Sequence, residues 1–186
     1  MKEAFLTYAV TLYFDDETSG EIRSLTKKIC DATGNDYMIQ NDVPPHLTLG
    51  MFHVNETDTE KLKDVFSEFV EKARTKVLCK KNYEISFGGI ESFSDKVIFI
   101  KLEKGELLAA LNQLLHELFI PHFEAGDNRN YLPENWYPHI TLGFKLSHEQ
   151  FENGMKSLKD SPSAGRGTRI GLACCNPYTP VCEIQV

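Results

Sequence analysis

One hexapeptide pattern, Pro-His-aliphatic-Thr-Leu-Gly, occurs twice: PHLTLG at residues 45–50 and PHITLG at residues 138–143. His46 and His139 lie 93 residues apart in a chain of 186. A repeat at half the chain length is the mark of an internal duplication, so whatever one copy builds the other should build as well. Each copy reads as a strand that starts near its histidine, because the preceding proline has no N–H to give to a ladder. Strand alternation then puts His46, Thr48, Gly50 and Phe52 on one face, with Leu47, Leu49 and Met51 on the other. In the second copy His139, Thr141, Gly143 and Lys145 share a face opposite Ile140, Leu142 and Phe144. The aliphatic faces should pack under helices. The glycines are expected to leave room for a ligand to approach the sheet.

The elements around the motifs repeat too. Residues 5–14, rich in aromatic and β-branched side chains, predict a strand. A helix follows over 19–33, with Ile22, Leu25 and Ile29 at helical spacing and Gly34 as its stop. The first motif strand runs to about residue 54. Thr57-Asp58-Thr59-Glu60 has the form of a capping box before a helix that puts Leu62, Val65, Phe66, Phe69, Val70 and Ala73 on one side. Strands at 83–87 and 97–102 bracket Gly88-Gly89 and Ser94-Asp95, which reads as a hairpin. A helix over 106–120 carries Leu107, Leu111, Leu114, Leu115 and Leu118 and stops at Pro121. The second motif strand spans 139–146. A second capping box, Ser147 to Gln150, opens a short helix with Phe151, Met155 and Leu158. Strands at 169–175 and 181–186 close the chain around Asn176-Pro177. Strand, helix, motif strand, helix therefore occurs twice, and a 93-residue shift carries Phe5 to Ile98. The segment 124–136 is the longest expected loop. With no Pro/Gly/Ser-rich linker between the halves, residues 1–186 are expected to form a single bilobal domain.

Two imidazoles facing one cleft have a specific use. An unperturbed imidazole titrates near pH ~6.5, so neutral and protonated forms coexist near neutrality. A pair can supply one base and one acid. In-line displacement at phosphorus needs both, and threonine hydroxyls can hold the non-bridging oxygens. No metal is required, and no HxH or HExxH spacing argues for zinc. A single His-x-Thr in a strand would mean little. Two in matching contexts, each with Pro before and Leu-Gly after, mean more, because histidine is a poor choice for two equivalent core sites.

The paired motifs resemble those of the two-histidine (2H) phosphoesterases, of the 2′-5′ RNA ligase and cyclic phosphodiesterase type. The opening YAVTLYFD…EIRSLTKKI and the middle ISFGGIESFSDKVIFIKL resemble that family's layout as well, so the likeness covers most of the chain. It implies an α+β fold: bilobal, with two helix-flanked antiparallel sheets facing a central cleft. It also implies His46 and His139 as the catalytic acid/base pair and Thr48 and Thr141 as phosphate-contacting hydroxyls. The implied activity is metal-independent hydrolysis of a 2′,3′-cyclic phosphate or a 2′-5′ linkage, on an RNA end or a small nucleotide, with no cofactor. Reversible 2′-5′ RNA ligation, or nucleotide binding without turnover on the same fold, are the alternatives.

Tyr8, Phe52, Trp136 and Lys145 are the further candidates for substrate binding, the aromatics to stack on a base and the lysine to meet a phosphate. Tyr137 fits core packing at least as well. Arg129, Arg166 and Arg169 read as solvated surface. Of the remaining histidines, His53 should point away from the cleft, His116 should be solvated opposite its leucine stripe, and His122 and His148 flank helix ends. The net charge of -7 comes with no lysine/arginine block of the kind that wraps long nucleic acid, which favours a short terminus or a small substrate over a long RNA track and leaves room for a local basic patch. No apolar run nears the ~20 residues of a membrane span. The segment MKEAFLTYAVTLYFDDE lacks a long apolar signal region, so a cytoplasmic setting with five reduced cysteines is expected. Cys174 and Cys175 should point to opposite faces. Nothing here implies an oligomer.

Overall fold

The computed structural model describes residues 5–79, 84–175 and 178–186. The first half lays down β1 (Phe5–Phe14), α1 (Asp16–Thr33), the short α2 (Tyr37–Gln40), β2 (His46–Asn55) and α3 (Thr59–Lys72). The second adds β3 (Ile85–Phe93), β4 (Val97–Leu102), α4 (Glu106–Phe119), β5 (Glu124–Ala125), β6 (His139–Gly143), α5 (His148–Ser157), β7 (Ala164–Gly165), β8 (Gly167–Cys175) and β9 (Tyr178–Gln185). The strands make two antiparallel sheets, one in the order β5-β2-β1-β8-β9 and one in the order β6-β4-β3-β7. Each motif strand pairs with the strand that opens its repeat. The fold is α+β, as the sequence implied.

The helices cross between the sheets. Helix α1, which leaves β1, packs on β6 and α5 of the other sheet, while α4, which leaves β4, packs on β2 and α3. Ile22, Leu25 and Ile29 of α1 and Leu111, Leu115 and Phe119 of α4 therefore belong to one continuous apolar core with Leu47, Leu49, Ile140 and Leu142 of the motif strands.

The pairing registers reveal a device that alternation alone did not anticipate. Val10 pairs with Gly50 and Thr11 with Thr48, so Leu49 is an extra residue, a bulge in β2. Ile98 pairs with Gly143 and Phe99 with Thr141, which leaves Leu142 extra at the same place in β6. An extra residue turns every later side chain to the opposite face. Gly50 consequently faces α4, where an added Cβ would lie 2.8 Å from Leu115 Cδ2. At Gly143 it would lie 3.3 Å from Ile29 Cγ2 of α1. The glycines admit the helices to the bulges; they do not open the sheet to a ligand. The same registers match Val10, not Phe5, with Ile98, so the opening strand of the repeat is offset differently from its motif strand.

Other local differences have equally local causes. Helix α1 begins at Asp16, ahead of the expected start, because the Asp15 side chain accepts from the Thr18 N–H at 2.9 Å. Gly34 ends it with φ of 69°, in the left-handed region. The capping box expected at Thr57–Glu60 does not form. A 3-10 turn, Glu56–Asp58, leads into α3, and the Thr59 hydroxyl donates to the Glu56 carbonyl. The box at Ser147 and Gln150 does form. Strand β3 continues past a bulge at Gly88-Gly89 and turns at Ser94-Asp95, both with positive φ. Tyr83 and Asn176-Pro177 lie outside the described residues.

Helix α4 is rotated from the expected stripe: Leu108, Asn112, His116 and Phe119 are buried with Leu111 and Leu115, and Leu107, Leu114 and Leu118 flank them. The rotation lets Asn112 Nδ2 donate to the Leu49 carbonyl at 2.8 Å and to the Tyr131 carbonyl at 3.0 Å. It also buries His116, only 5% exposed and tilted against Phe52 at 5.4 Å between ring centroids, where burial pushes its pKa down. No helix among the described residues is long and apolar enough to cross a membrane. All five cysteines are free thiols.

Candidate functional site

The two motif strands meet where the sheets face each other. In both copies the histidine and threonine share the half-buried face, with the intervening aliphatic residue buried beneath: His46 and Thr48 over Leu47, His139 and Thr141 over Ile140. Each imidazole is held in the same way. His46 Nδ1 bonds the Pro44 carbonyl at 2.7 Å, and His139 Nδ1 bonds the Tyr137 carbonyl at 2.8 Å. A carbonyl can only accept, so Nδ1 carries the hydrogen and Nε2 is left as the free nitrogen on each ring.

Burial pushes the pKa of both rings below the ordinary imidazole value. Their charged neighbours then differ. His46 is further lowered by repulsion from His139, which puts the two rings within electrostatic reach of each other. Asp127 acts in the opposite sense and favours a protonated His139. Both rings are thus biased toward the neutral form, and only at His139 does a neighbouring carboxylate oppose that bias.

The segment from Glu124 to Tyr137 ties the two strands together. Its first residues pair with β2 as β5, and the Gly126 N–H donates to the Met51 carbonyl at 2.8 Å. The Tyr131 hydroxyl lies beside the Thr48 side chain, and burial pushes its pKa up to about 12. Trp136 Nε1 donates to the Thr48 carbonyl at 3.0 Å. The segment ends at Tyr137, whose carbonyl holds His139. The sequence marked this stretch as a long loop without naming Tyr131 or Asp127. Its position between the helix stop at Pro121 and the second motif was the available signal.

A cleft of about 510 Å³ opens beside His139 and Thr141, walled by Phe93, Tyr131, Trp136, Tyr137 and Phe144, with Asp127, Asn130 and Asn135 at its polar edge. Phe93 meets the His139 ring edge-on at 5.1 Å between centroids. On the other side Tyr13, the cross-strand partner of His46, lies 6.3 Å from its ring and bonds the Tyr178 hydroxyl at 3.0 Å. Arg169 is placed over Tyr13 and paired with Glu183, so it stands at this end of the sheet and is not isolated surface. Neither Tyr13 nor Phe93 carried a sequence signal, since both were brought here by cross-strand pairing.

Of the other candidates, only Trp136 reaches the site. It is 4% exposed and bonded through its edge, a clamp on Thr48 more than an open stacking surface. Phe52 is turned by the bulge into the core, 0% exposed against Phe119 and His116. Tyr8 lies on the core face of β1, 7% exposed, its hydroxyl near Thr59 at the start of α3. Lys145 follows the end of β6 with φ of 58° and sets its ammonium over Tyr37 at 4.6 Å. The bulge also turns His53 onto the His46 face, though seven residues along the strand, roughly 20 Å away, where it bonds Thr7 and packs on Phe5. The Cys175 thiol is pushed up to about 12 by burial, which leaves it protonated and unreactive. Among the described residues no cluster of three or more His, Cys, Asp or Glu is placed to hold a metal ion.

With this geometry in place, known proteins supply a comparison. The family described as the 2′-5′ RNA ligase superfamily matches residues 14–173. No curated protein sequence matches. Among solved structures, E. coli LigT in complex with 3′-AMP is similar over 98% of this chain and 99% of its own, at 14% identity and a TM-score of 0.58. E. coli LigT in complex with phosphate gives 13%, 97% of each chain and 0.55. A protein described as a phosphoesterase gives 13%, 98% and 99%, and 0.56. Identities this low show a shared fold.

Proposed function

Because the chain belongs to the 2′-5′ RNA ligase superfamily, we propose that it is a metal-independent phosphoesterase acting on 2′,3′-cyclic phosphate or 2′-5′ phosphodiester linkages of RNA ends or small nucleotides. The observation that carries this reading is the duplicated imidazole, each ring oriented by its own carbonyl at Nδ1 and close enough to its counterpart to alter its charge. That similar folds bind 3′-AMP and phosphate supports a nucleotide ligand.

In the proposed route an attacking oxygen, from water or an adjacent hydroxyl, bonds to phosphorus as the ester bond to the leaving oxygen breaks. Neutral His46 takes the proton of the attacker, and protonated His139, favoured by Asp127, gives one to the leaving oxygen. Thr48 and Thr141 hydroxyls hold the non-bridging oxygens, where charge develops. Tyr131, beside Thr48, stays protonated at any working pH and is placed to orient the Thr48 hydroxyl toward the phosphoryl group. Residues 1–186 are read as one catalytic unit.

A turnover screen with cyclic mononucleotides, cyclic-phosphate RNA ends and 2′-5′ dinucleotides, run in EDTA, tests the reading. Turnover of at least one class is expected, and saturable binding with no turnover anywhere would refute it. The pH dependence is a sharper check. The base must be neutral, so rate rises with pH through one value; the acid must be protonated, so rate falls through the other. Both rings are pushed below 6.5. The bell of kcat/KM should therefore centre on the acid side of 6.5, its two limbs belonging to the coupled pair. Bound phosphate adds negative charge and should move the kcat bell to higher pH. A kcat/KM that keeps rising beyond pH 8 would contradict the assignment.

The threonines give a graded test. Thr48→Val and Thr141→Val should each cost about 10- to 1000-fold in kcat, the range for one stabilising donor. Tyr131→Phe should cost less and should add nothing in the Thr48→Val background, because it acts through that hydroxyl. Full additivity of the two losses would remove Tyr131 from the mechanism.

A further inference from the structure

Thr141 lines two cavities, not one. The first is the aromatic cleft of about 510 Å³ beside His139. The second, of about 220 Å³, lies between α1, α2 and the approach to β2, lined by Ile22, Met38, Ile39, Val43 and Pro45, with Arg23 and Asp42 as its charged residues. Pro45 is bonded to His46, so this second cavity touches both copies of the motif. It is mostly apolar and smaller than the ~300–1,000 Å³ of sites that enclose a drug-sized ligand, which suits one ring-sized group and not a whole nucleotide. The first cavity falls inside that range.

Surface chemistry points the same way. Among the described residues eight large apolar side chains stay exposed, and four of them, Ile39, Phe93, Tyr137 and Phe144, line these two cavities. Exposed apolar groups gathered at concave surfaces mark binding sites. Here they stand on both sides of a threonine proposed to hold the phosphate.

A mononucleoside 2′,3′-cyclic phosphate carries both ester oxygens on one ribose and has one organic substituent to place. A linear diester has two. We infer that the Ile22–Met38–Ile39–Val43 cavity is a second subsite for the apolar ring of the other ester substituent, so the preferred substrate is a linear, 2′-5′-type diester with a base or comparable flat group on each side of phosphorus. This rests on the proposed phosphoesterase reading. The phosphate lies between the motifs, one base lies along Phe93, Tyr137 and Phe144, and the other enters beside Met38.

The test compares kcat/KM for 2′-5′-linked diadenosine monophosphate and adenosine 2′,3′-cyclic phosphate. Wild-type protein should favour the linear diester. Met38→Trp fills the cavity, and Ile39→Glu, at an exposed rim position that tolerates substitution, charges it. Each should lower the linear-to-cyclic ratio by about tenfold or more, the scale of one apolar group gained or lost in a pocket. Cleavage of the cyclic substrate alone, or a ratio that neither folded variant moves, overturns the second subsite while leaving the phosphoesterase reading intact. Failure of both substrates and of the wider screen overturns that reading itself.

Discussion

His46→Ala and His139→Ala should each remove about 10²- to 10⁴-fold of the turnover, the usual worth of a positioned acid or base. The double variant should be little worse than either single one, because a base without its acid is half of a unit whose losses do not add. Neither replacement should unfold the protein, since both rings are half-buried at the cleft and each is fixed by one carbonyl bond. Initial rates of the two single variants and the double, beside melting curves, make the check. A double variant that loses the product of the two single losses would mean that the histidines work independently. A folded His139→Ala protein with full activity would mean that only the first copy is chemical.

Phe52→Ala should cost about 3–5 kcal/mol of stability, the range for emptying a fully buried phenyl site, and should be read from urea unfolding. The ring is wholly buried between Phe119 and His116. Had β2 kept strict alternation, Phe52 would line the cleft, and its loss would weaken substrate binding while barely touching stability. Phe52→Leu, which keeps most of the volume, should retain near-normal KM. A Phe52→Ala protein that unfolds like wild type but binds substrate poorly would show that the bulge at Leu49 has been misplaced.

These two outcomes mark where sequence reasoning succeeds and where it stops. His46, Thr48, His139 and Thr141 were legible because they lie on the first three residues of each strand, before the bulge, where period-two alternation holds. Phe52, Gly50 and Gly143 come after it, and one extra residue sends each to the face opposite the expected one, while Lys145 lies beyond the end of its strand altogether. Leu-Gly inside a strand was a possible bulge signal in both copies. What it could not disclose is that α4 and α1 press onto those glycines from the opposite halves. The strand–helix order and the helical faces were readable from local pattern, whereas the exchange of helices between sheets depends on packing across the whole chain. Tyr131, Tyr13 and Phe93 reach the site through tertiary contacts alone. The sequence places His116 opposite the expected leucine stripe, which reads as a solvated position. The contest was decided by Asn112, one turn earlier, which must face inward to meet the Leu49 and Tyr131 carbonyls.

The most direct measurement follows the ring nitrogens of His46 and His139 by NMR while inorganic phosphate is added in EDTA, with His116, His53, His122 and His148 as internal controls. Nε2 of both motif histidines should shift along one common binding curve, and both pKa values should rise in the bound state, because one anion sits between them. A response confined to one of the two rings, or two separate binding curves, would contradict a shared phosphate site.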